Sequence, residues 1–276
     1  MEKLYAEILD LAAEAARRAG RFIREARKDG LRVNAKSRTD FVSDKDQMSE
    51  NMIREMIREK YPSHLFFGEE SVCGCTPEEE NAQIEAFRDG DFVWVVDPID
   101  GTVNYIRDYP QYAVSVAVVH HREIVAGAVY DPFRDELFTA RKGGGAFLNG
   151  QRIRVSAAKE AGDAIINTSM PAGAATRSDM VSRIPPVSGA FQSMRVWNCA
   201  AVSLASVACG RSDADYEAGI HLWDMAAGIL LVREAGGTVT RLDGSPCTLT
   251  QTDILATNGR VHEAAVRALN TEKVSG

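Results

Sequence analysis

From Leu4 to Ile23 apolar side chains return at helical spacing (Leu4, Ile8, Leu11, Ala15, Ala19, Phe22, Ile23), which predicts an amphipathic helix over about 3–26. A second helix is expected over about 46–60, stopped before Pro62, with Met48, Met52 and Met56 as its core-facing stripe. Both helices are expected to cover a sheet. The run Phe92-Val93-Trp94-Val95-Val96 reads as a buried strand. From Tyr112 onward the period changes to two. Strands are predicted over 113–119, 124–130, 136–140 and 146–155, separated by Gly or Asp-Pro turns, as an antiparallel meander. The second half alternates strands (164–168, 237–241, 253–257) with helices (200–210, 225–235, 261–269) and predicts α/β layering. Residues 168–193, rich in Ser, Pro and Gly, are expected to hold only a short helix in their middle.

Composition narrows the class. With 276 residues, 45% hydrophobic and 26% charged, the chain has ample material for a globular core. A net charge of −7 argues against a nucleic-acid footprint. No run of about 18 apolar residues occurs, and the first residues lack the apolar region of a signal peptide, so a cytoplasmic protein with no membrane partner is expected. Five cysteines, an odd and scattered number, predict reduced thiols rather than a disulfide framework. Cys73-Gly74-Cys75 has one residue between its thiols and reads as a loop pair, not a zinc site.

The chemistry concentrates where the 92–96 strand ends, in Asp97-Pro98-Ile99-Asp100-Gly101-Thr102, with no Lys or Arg between Asp91 and Ile106. Two carboxylates about 4 Å apart repel by roughly 4 kcal/mol at an effective dielectric near 20, so such a pair binds metal, protonates or opens to water. All-oxygen ligands point to a hard ion such as Mg²⁺. Two other carboxylate groups arrive without local counter-charge: Glu69-Glu70 after Leu65-Phe66-Phe67-Gly68, and Asp224 at the head of a long apolar helix. Taken singly, the first is a solvated turn and the second a helix-start carboxylate. His221 reads as a pocket-lining or satisfied core histidine, because an all-carboxylate Mg²⁺ site has no need of imidazole. Gly143-Gly144-Gly145 is a turn between strands and lacks the ending of a phosphate loop.

Taken together and in order, Gly68-Glu69-Glu70, Asp97-Pro98-Ile99-Asp100-Gly101-Thr102, and Trp223-Asp224-Met225-Ala226-Ala227-Gly228 followed by Glu234-Ala235-Gly236-Gly237 resemble the motif set of the inositol monophosphatase family. Tyr61-Pro62-Ser63-His64, the 139–150 segment and Tyr216-Glu217-Ala218-Gly219-Ile220-His221 extend the likeness over most of residues 1–270. The resemblance implies an α/β chain with the α+β sugar-phosphatase fold, a layered α-β-α-β-α sandwich. Residues 1–145 would form an N-terminal subdomain carrying most metal ligands, and residues 146–276 a C-terminal one carrying Asp224 and the substrate contacts.

It also implies a phosphomonoesterase using two or three Mg²⁺ ions, sensitive to lithium and assembled as a homodimer. Glu69, Asp97 and the Ile99 carbonyl would hold one ion; Asp97, Asp100 and Asp224 a second. The nucleophile would be a water on the first metal, activated through Thr102 and Asp46, with Asp44 a nearby competitor for that role. Gly101 and Thr102 would receive the phosphate on their amides. Asp100, Glu217 and the Ala200 amide would meet substrate hydroxyls, Glu70 would orient Glu69, and Lys36 would lie near a third metal site. Glu217 favours an inositol monophosphate such as inositol 1-phosphate over fructose 1,6-bisphosphate or a nucleotide, since a carboxylate suits vicinal hydroxyls and repels a second phosphate. Asn198, Cys199 and the Met170-Pro171-Ala172-Gly173 loop depart from the family pattern where the ring would bind. Two alternatives stand beside this reading. A haloacid-dehalogenase-type phosphatase needs Asp-x-Asp, whereas Pro98 and Ile99 separate the pair here. A non-catalytic regulatory protein on the same fold is the other.

Overall fold

The computed structural model describes residues 1–35 and 41–271. Helix α1 (Glu2–Ala26) is followed by the short antiparallel pair β1 (Val33–Ala35) and β2 (Phe41–Ser43), then by α2 (Asp44–Lys60), β3 (Leu65–Gly68) and α3 (Pro77–Glu85). Next come β4 (Phe92–Asp100), α4 (Thr102–Arg107), β5 (Ala113–His120), β6 (Glu123–Asp131), β7 (Glu136–Arg141), β8 (Gly145–Leu148) and β9 (Gln151–Arg152). The second half runs β10 (Ile165–Thr168), α5 (Ala174–Ala190), β11 (Ser193–Val196), α6 (Ala200–Ala208), β12 (Ala214–Ala218), α7 (Leu222–Glu234), β13 (Thr238–Thr240), β14 (Asp253–Thr257) and α8 (His262–Leu269).

Two mixed sheets organise these elements. The larger has the order β3-β4-β5-β6-β7-β8-β9, with only β3 and β4 parallel. The smaller has the order β11-β10-β12-β14-β13. Strand alternation gives the larger sheet two apolar faces, each needing a cover. Trp94, Val96, Val114 and Val116 pack with Ile8, Ala12, Ala15, Ile23 and Ile53 of α1 and α2. Val93, Val95 and Ala117 face α6 and α7, which also meet Ile254 and Ala256 of the smaller sheet. Its outer face, with Ile166 and Tyr216, is closed by α5 and α8 through Met180, Val187 and Ala265. The result is the expected α-β-α-β-α layering, with α6 and α7 in the middle.

Several sequence expectations are corrected. The 146–155 strand breaks at Asn149-Gly150 into β8 and β9, because both residues take left-handed φ values (49° and 80°). The short helix expected inside 168–193 is the seventeen-residue α5, which continues through Pro185 and Pro186. Strands β11 and β12 and helix α3 were not foreseen. Met48 is 47% exposed and Met52 and Met56 are only half-buried, so the methionines are not the core face of α2. That face is Asp46, Ser49, Glu50, Ile53 and Ile57.

Candidate active site

Asp97 and Asp100 are three residues apart, an odd separation that a regular strand sends to opposite faces. In β4 the pairing with β5 shifts: Asp97 lies opposite Ser115 and Asp100 opposite Ala113, so three steps on one strand match two on the other. The extra residue is a bulge, which re-aims the strand end so that both carboxylates turn to one side. Pro98 can sit there because a bulge asks for no ladder donor. Asp97 then folds back to accept the Ile99 amide at 2.9 Å. Gly101 follows at φ 84°, and a Cβ there would stand 2.7 Å from the Gln111 carbonyl oxygen, so the turn into α4 takes no side chain.

Asp224 reaches the same place from the other half of the chain. It is the third residue of α7, where its carboxylate accepts the His221 amide at 2.7 Å, and the helix runs between the two sheets directly against β4, β5 and β6. One oxygen each from Asp97, Asp100 and Asp224 lies within 4.8 Å of the others. Glu69, in the single 3₁₀ turn Glu69–Ser71 that ends β3, stands outside that trio but close enough to supply the largest charge repulsion on Asp97. Burial first, and then Glu69, Asp100 and Asp224, hold Asp97 well above the usual carboxylate range. Burial and Asp224 push Asp100 up to about 7, against hydrogen bonds from Ala201, Cys199 and Ala200 that favour its charged form. These carboxylates cannot all be ionised without a cation. Their donor set is carboxylate and carbonyl oxygen, which fits a hard divalent ion. The site is therefore an acidic cluster whose oxygens could hold a metal ion.

The other predicted residues gather around it. Thr102 opens α4 and its hydroxyl donates to the Ile99 carbonyl at 2.9 Å, with Asp46 Oδ1 at 3.4 Å on its far side. Asp46 is buried, and its other oxygen accepts from Ser43 N at 2.8 Å and Ser43 Oγ at 2.6 Å in the cap of α2. Asp44 instead faces Arg32 and Lys45, so of the two candidates only Asp46 reaches Thr102. Ala200 is the first residue of α6, whose next amide, Ala201, donates to Asp100 Oδ2 at 2.6 Å. Glu217 lies on β12, fully buried, accepting from Ser169 Oγ at 2.7 Å; burial and Asp215 hold it well above the carboxylate range. Glu70 is half-buried in the same turn as Glu69. Lys36 lies outside the described residues.

Two adjoining cavities share Asp100, Gly101, Thr102 and Asp224. One, of about 420 Å³, is also lined by Ala200, Glu217 and the 169–172 loop; the other, of about 490 Å³, by Glu69, Asp97, Ile99 and His221. Asn198, Cys199 and residues 170–172 of the loop, where the chain departs from the family pattern, all line the first. Asn198 takes φ 53°, a conformation in which Asn is the usual substitute for Gly, and its side-chain oxygen accepts the Met170 amide at 2.8 Å. Cys199, its thiol pushed up by burial and by Asp100, donates to Asp100 Oδ2 at 3.3 Å as a hydroxyl would.

Three residues were missed by the sequence reading. Glu80 of α3 pairs with His221 Nδ1 at 2.7 Å and lines the second cavity. Asp215 on β12 is fully buried, and neither of its oxygens has a hydrogen-bond partner among the described residues. Alternation along Asp213, Asp215 and Glu217 was the available signal, hidden because the alternating residues are acidic rather than apolar. Ser49, buried on α2, donates to the Pro98 carbonyl at 3.1 Å.

Comparison with known proteins agrees with this geometry. The profile of the inositol monophosphatase family matches residues 4–273, and the chain belongs to that family. Its members are phosphatases and generally metal-dependent. Among relatives, inositol monophosphatase 3 of Solanum lycopersicum is 36% identical over 271 residues, covering 96% of this chain and 97% of its own. The Nus factor SuhB of Xylella fastidiosa is 39% identical, over 86% and 82% of the two chains. The crystal structure of the extragenic suppressor protein suhB from Bartonella henselae superposes with a TM-score of 0.86 at 35% identity, covering 96% of this chain and 99% of that one.

Proposed function

We propose that this chain is a Mg²⁺-dependent phosphomonoesterase that hydrolyses inositol monophosphates, inositol 1-phosphate to inositol and inorganic phosphate. The observation that carries the reading is the meeting of Asp97, Asp100 and Asp224 oxygens within 4.8 Å, beside Glu69 and at the mouth of the α4 turn. Glu69, Asp97 and the Ile99 carbonyl would hold one ion, and Asp97, Asp100 and Asp224 the other. Bound there, paired Mg²⁺ ions supply Lewis acidity to a phosphoryl oxygen and lower the pKa of water.

The protein's own groups do the positioning. Asp46 Oδ1, with its other oxygen held by Ser43, lies 3.4 Å from the Thr102 hydroxyl, so that on turning from the Ile99 carbonyl the hydroxyl can give its proton to Asp46 while its oxygen takes one from a water, a net transfer of one proton from water to the buried carboxylate. The Gly101 and Thr102 amides offer donors to the phosphate. Glu217 and Asp100 line the first cavity as acceptors for vicinal hydroxyls, with the Ala200 amide as donor, and Glu70 steadies Glu69. Their negative charge disfavours a second phosphate on the substrate. Arg177 lines the same cavity and is the feature that suits a second phosphate, so fructose 1,6-bisphosphate is the second reading.

A cytoplasmic location suits five thiols of which none is in a disulfide. No described helix is long and apolar enough to cross a membrane. Homodimerisation is supported by an exposed apolar patch: Phe133 is 58% and Val196 53% exposed, and Arg134 lies 5.9 Å from both the Phe133 and Trp197 rings. Lithium, a small hard cation, would inhibit by competing for the carboxylate oxygens. The deciding experiment is a phosphate-release panel with Mg²⁺ over inositol 1-phosphate, fructose 1,6-bisphosphate, 3′-phosphoadenosine 5′-phosphate and histidinol phosphate. Inositol 1-phosphate should lead, Asp97→Asn should lower its kcat/KM by about 10²–10³-fold, and preference for another ester would overturn the substrate assignment.

A further inference from the structure

The buried face of α2 opens with three polar residues, Asp46, Ser49 and Glu50, each no more than 1% exposed, and every one of them holds a different piece of the site. Asp46 meets Thr102, Ser49 the Pro98 carbonyl. Glu50 meets the turn that carries Glu69. Its Oε2 accepts the Glu70 amide at 2.8 Å, and its Oε1 accepts the Ser71 hydroxyl and, at 2.7 Å, the Arg54 guanidinium. That turn has no side-chain cap of its own, so Glu50 supplies from another helix the acceptor that a helix start lacks. Gly68 makes room for it: a Cβ there would stand 2.4 Å from Glu50 Oε2 although the backbone itself, at φ −120°, would accept any residue. The glycine of Gly68-Glu69-Glu70 is thus explained by the carboxylate packed against it.

We propose that Glu50 is a positioning residue for the metal centre: through the Glu70 amide and the Ser71 hydroxyl it fixes the backbone from which Glu69 projects, and so sets the affinity of the ion that Glu69 helps to hold. This rests on the metal-dependent reading above. Outer groups that orient a ligand are typically worth about 10–100-fold in metal affinity.

The test is direct Mn²⁺ binding to the full chain, counted from the free-ion electron paramagnetic resonance signal, alongside the Mg²⁺ dependence of phosphate release. Glu50→Gln keeps the shape but places an amide donor beside the Glu70 or Ser71 donors. It is expected to weaken the tightest Mn²⁺ site about tenfold, to raise the Mg²⁺ concentration for half-maximal activity in parallel, and to recover most of kcat at saturating Mg²⁺. A residue with only a structural role would lower Tm and kcat and leave Mn²⁺ affinity where it was. That result would overturn the proposal. Should Glu50→Gln fail to fold, Ser71→Ala decides, with an expected weakening of about threefold from one lost hydrogen bond and unchanged affinity as the refuting result. Absence of Mn²⁺ binding to the unaltered protein would instead refute the metal reading itself.

Discussion

Asp215 shows how the site strains its surroundings. A carboxylate with no exposure and no hydrogen-bond partner among the described residues resists ionisation: burial, then the charge of Asp100, hold it well above the carboxylate range. A raised folded pKa means that the folded state binds the extra proton. Stability is then complete below the ordinary value near 3.8 and is lost as pH rises toward the folded value. Asp215→Asn keeps the shape and abolishes the titration. Thermal melts should show a variant that matches the parent at pH 3.5 and exceeds it by at least about 2–4 °C at pH 8; a lower Tm at pH 8 would mean that Asp215 is ionised and paired. The carboxylates that meet in the cleft, by contrast, stood out in the sequence, because Glu69, Asp97 and Asp100 follow an apolar run and Asp224 opens one, each with no basic neighbour. Asp215 did not, since the alternation that turns it inward runs through the acidic residues Asp213, Asp215 and Glu217 rather than through apolar ones.

Elements betray themselves through periodicity, and they were misread where the buried face is polar. On α2 the inward positions Asp46, Ser49 and Glu50 precede Ile53 and Ile57, so methionines on a neighbouring stripe looked like the better core. Strand β12 is central in the smaller sheet, yet two of its five residues are acidic. Helix α3 was lost in an acidic stretch, though Thr76 and Glu79 make an N-terminal capping box with Pro77 as the first helical residue. Its contribution is Glu80. Burial alone would lower the His221 pKa, but the hydrogen bond that its Nδ1–H donates to Glu80, with the charges of Asp224, Glu80 and Glu69, raises it to about 9. For a base raised in this way, the stabilisation is complete below about 6.5 and disappears as pH rises through about 9. In an NMR titration without divalent ions Glu80→Gln should lower the His221 pKa, and its stability deficit against the parent should be constant below pH 6.5 and vanish above pH 9. Mg²⁺ should lower the same pKa in the unaltered protein by neutralising Asp224 and Glu69. An imidazole indifferent to both changes would show that the α3 contact does not form.

The larger consequence is that two sheets are packed around a cleft whose carboxylates repel. Asp97, Asp100, Asp224 and Glu217 are all raised above the carboxylate range, in each case first by burial. Without a cation the folded protein must take up protons there, so its stability falls as pH climbs from about 4 through about 7, the value reached by Asp100. A divalent ion needs the same oxygens deprotonated and binds only the folded arrangement, since Asp97 and Asp224 come from opposite halves of the chain. Protons and Mg²⁺ therefore compete, and Mg²⁺ should stabilise little at pH 5 and strongly at pH 8. At a hundredfold excess over Kd the gain is about 2.7 kcal/mol, which at about 2–4 °C per kcal/mol is a Tm rise of about 5–10 °C. Differential scanning fluorimetry at both pH values, with ionic strength matched by NaCl, measures it directly. An equal rise at pH 5 and pH 8, or one that NaCl reproduces, would show general screening rather than occupation of the Asp97, Asp100 and Asp224 oxygens. A rise confined to high pH would also vanish in Asp224→Asn, because one-half of the chain would then have nothing to offer the ion.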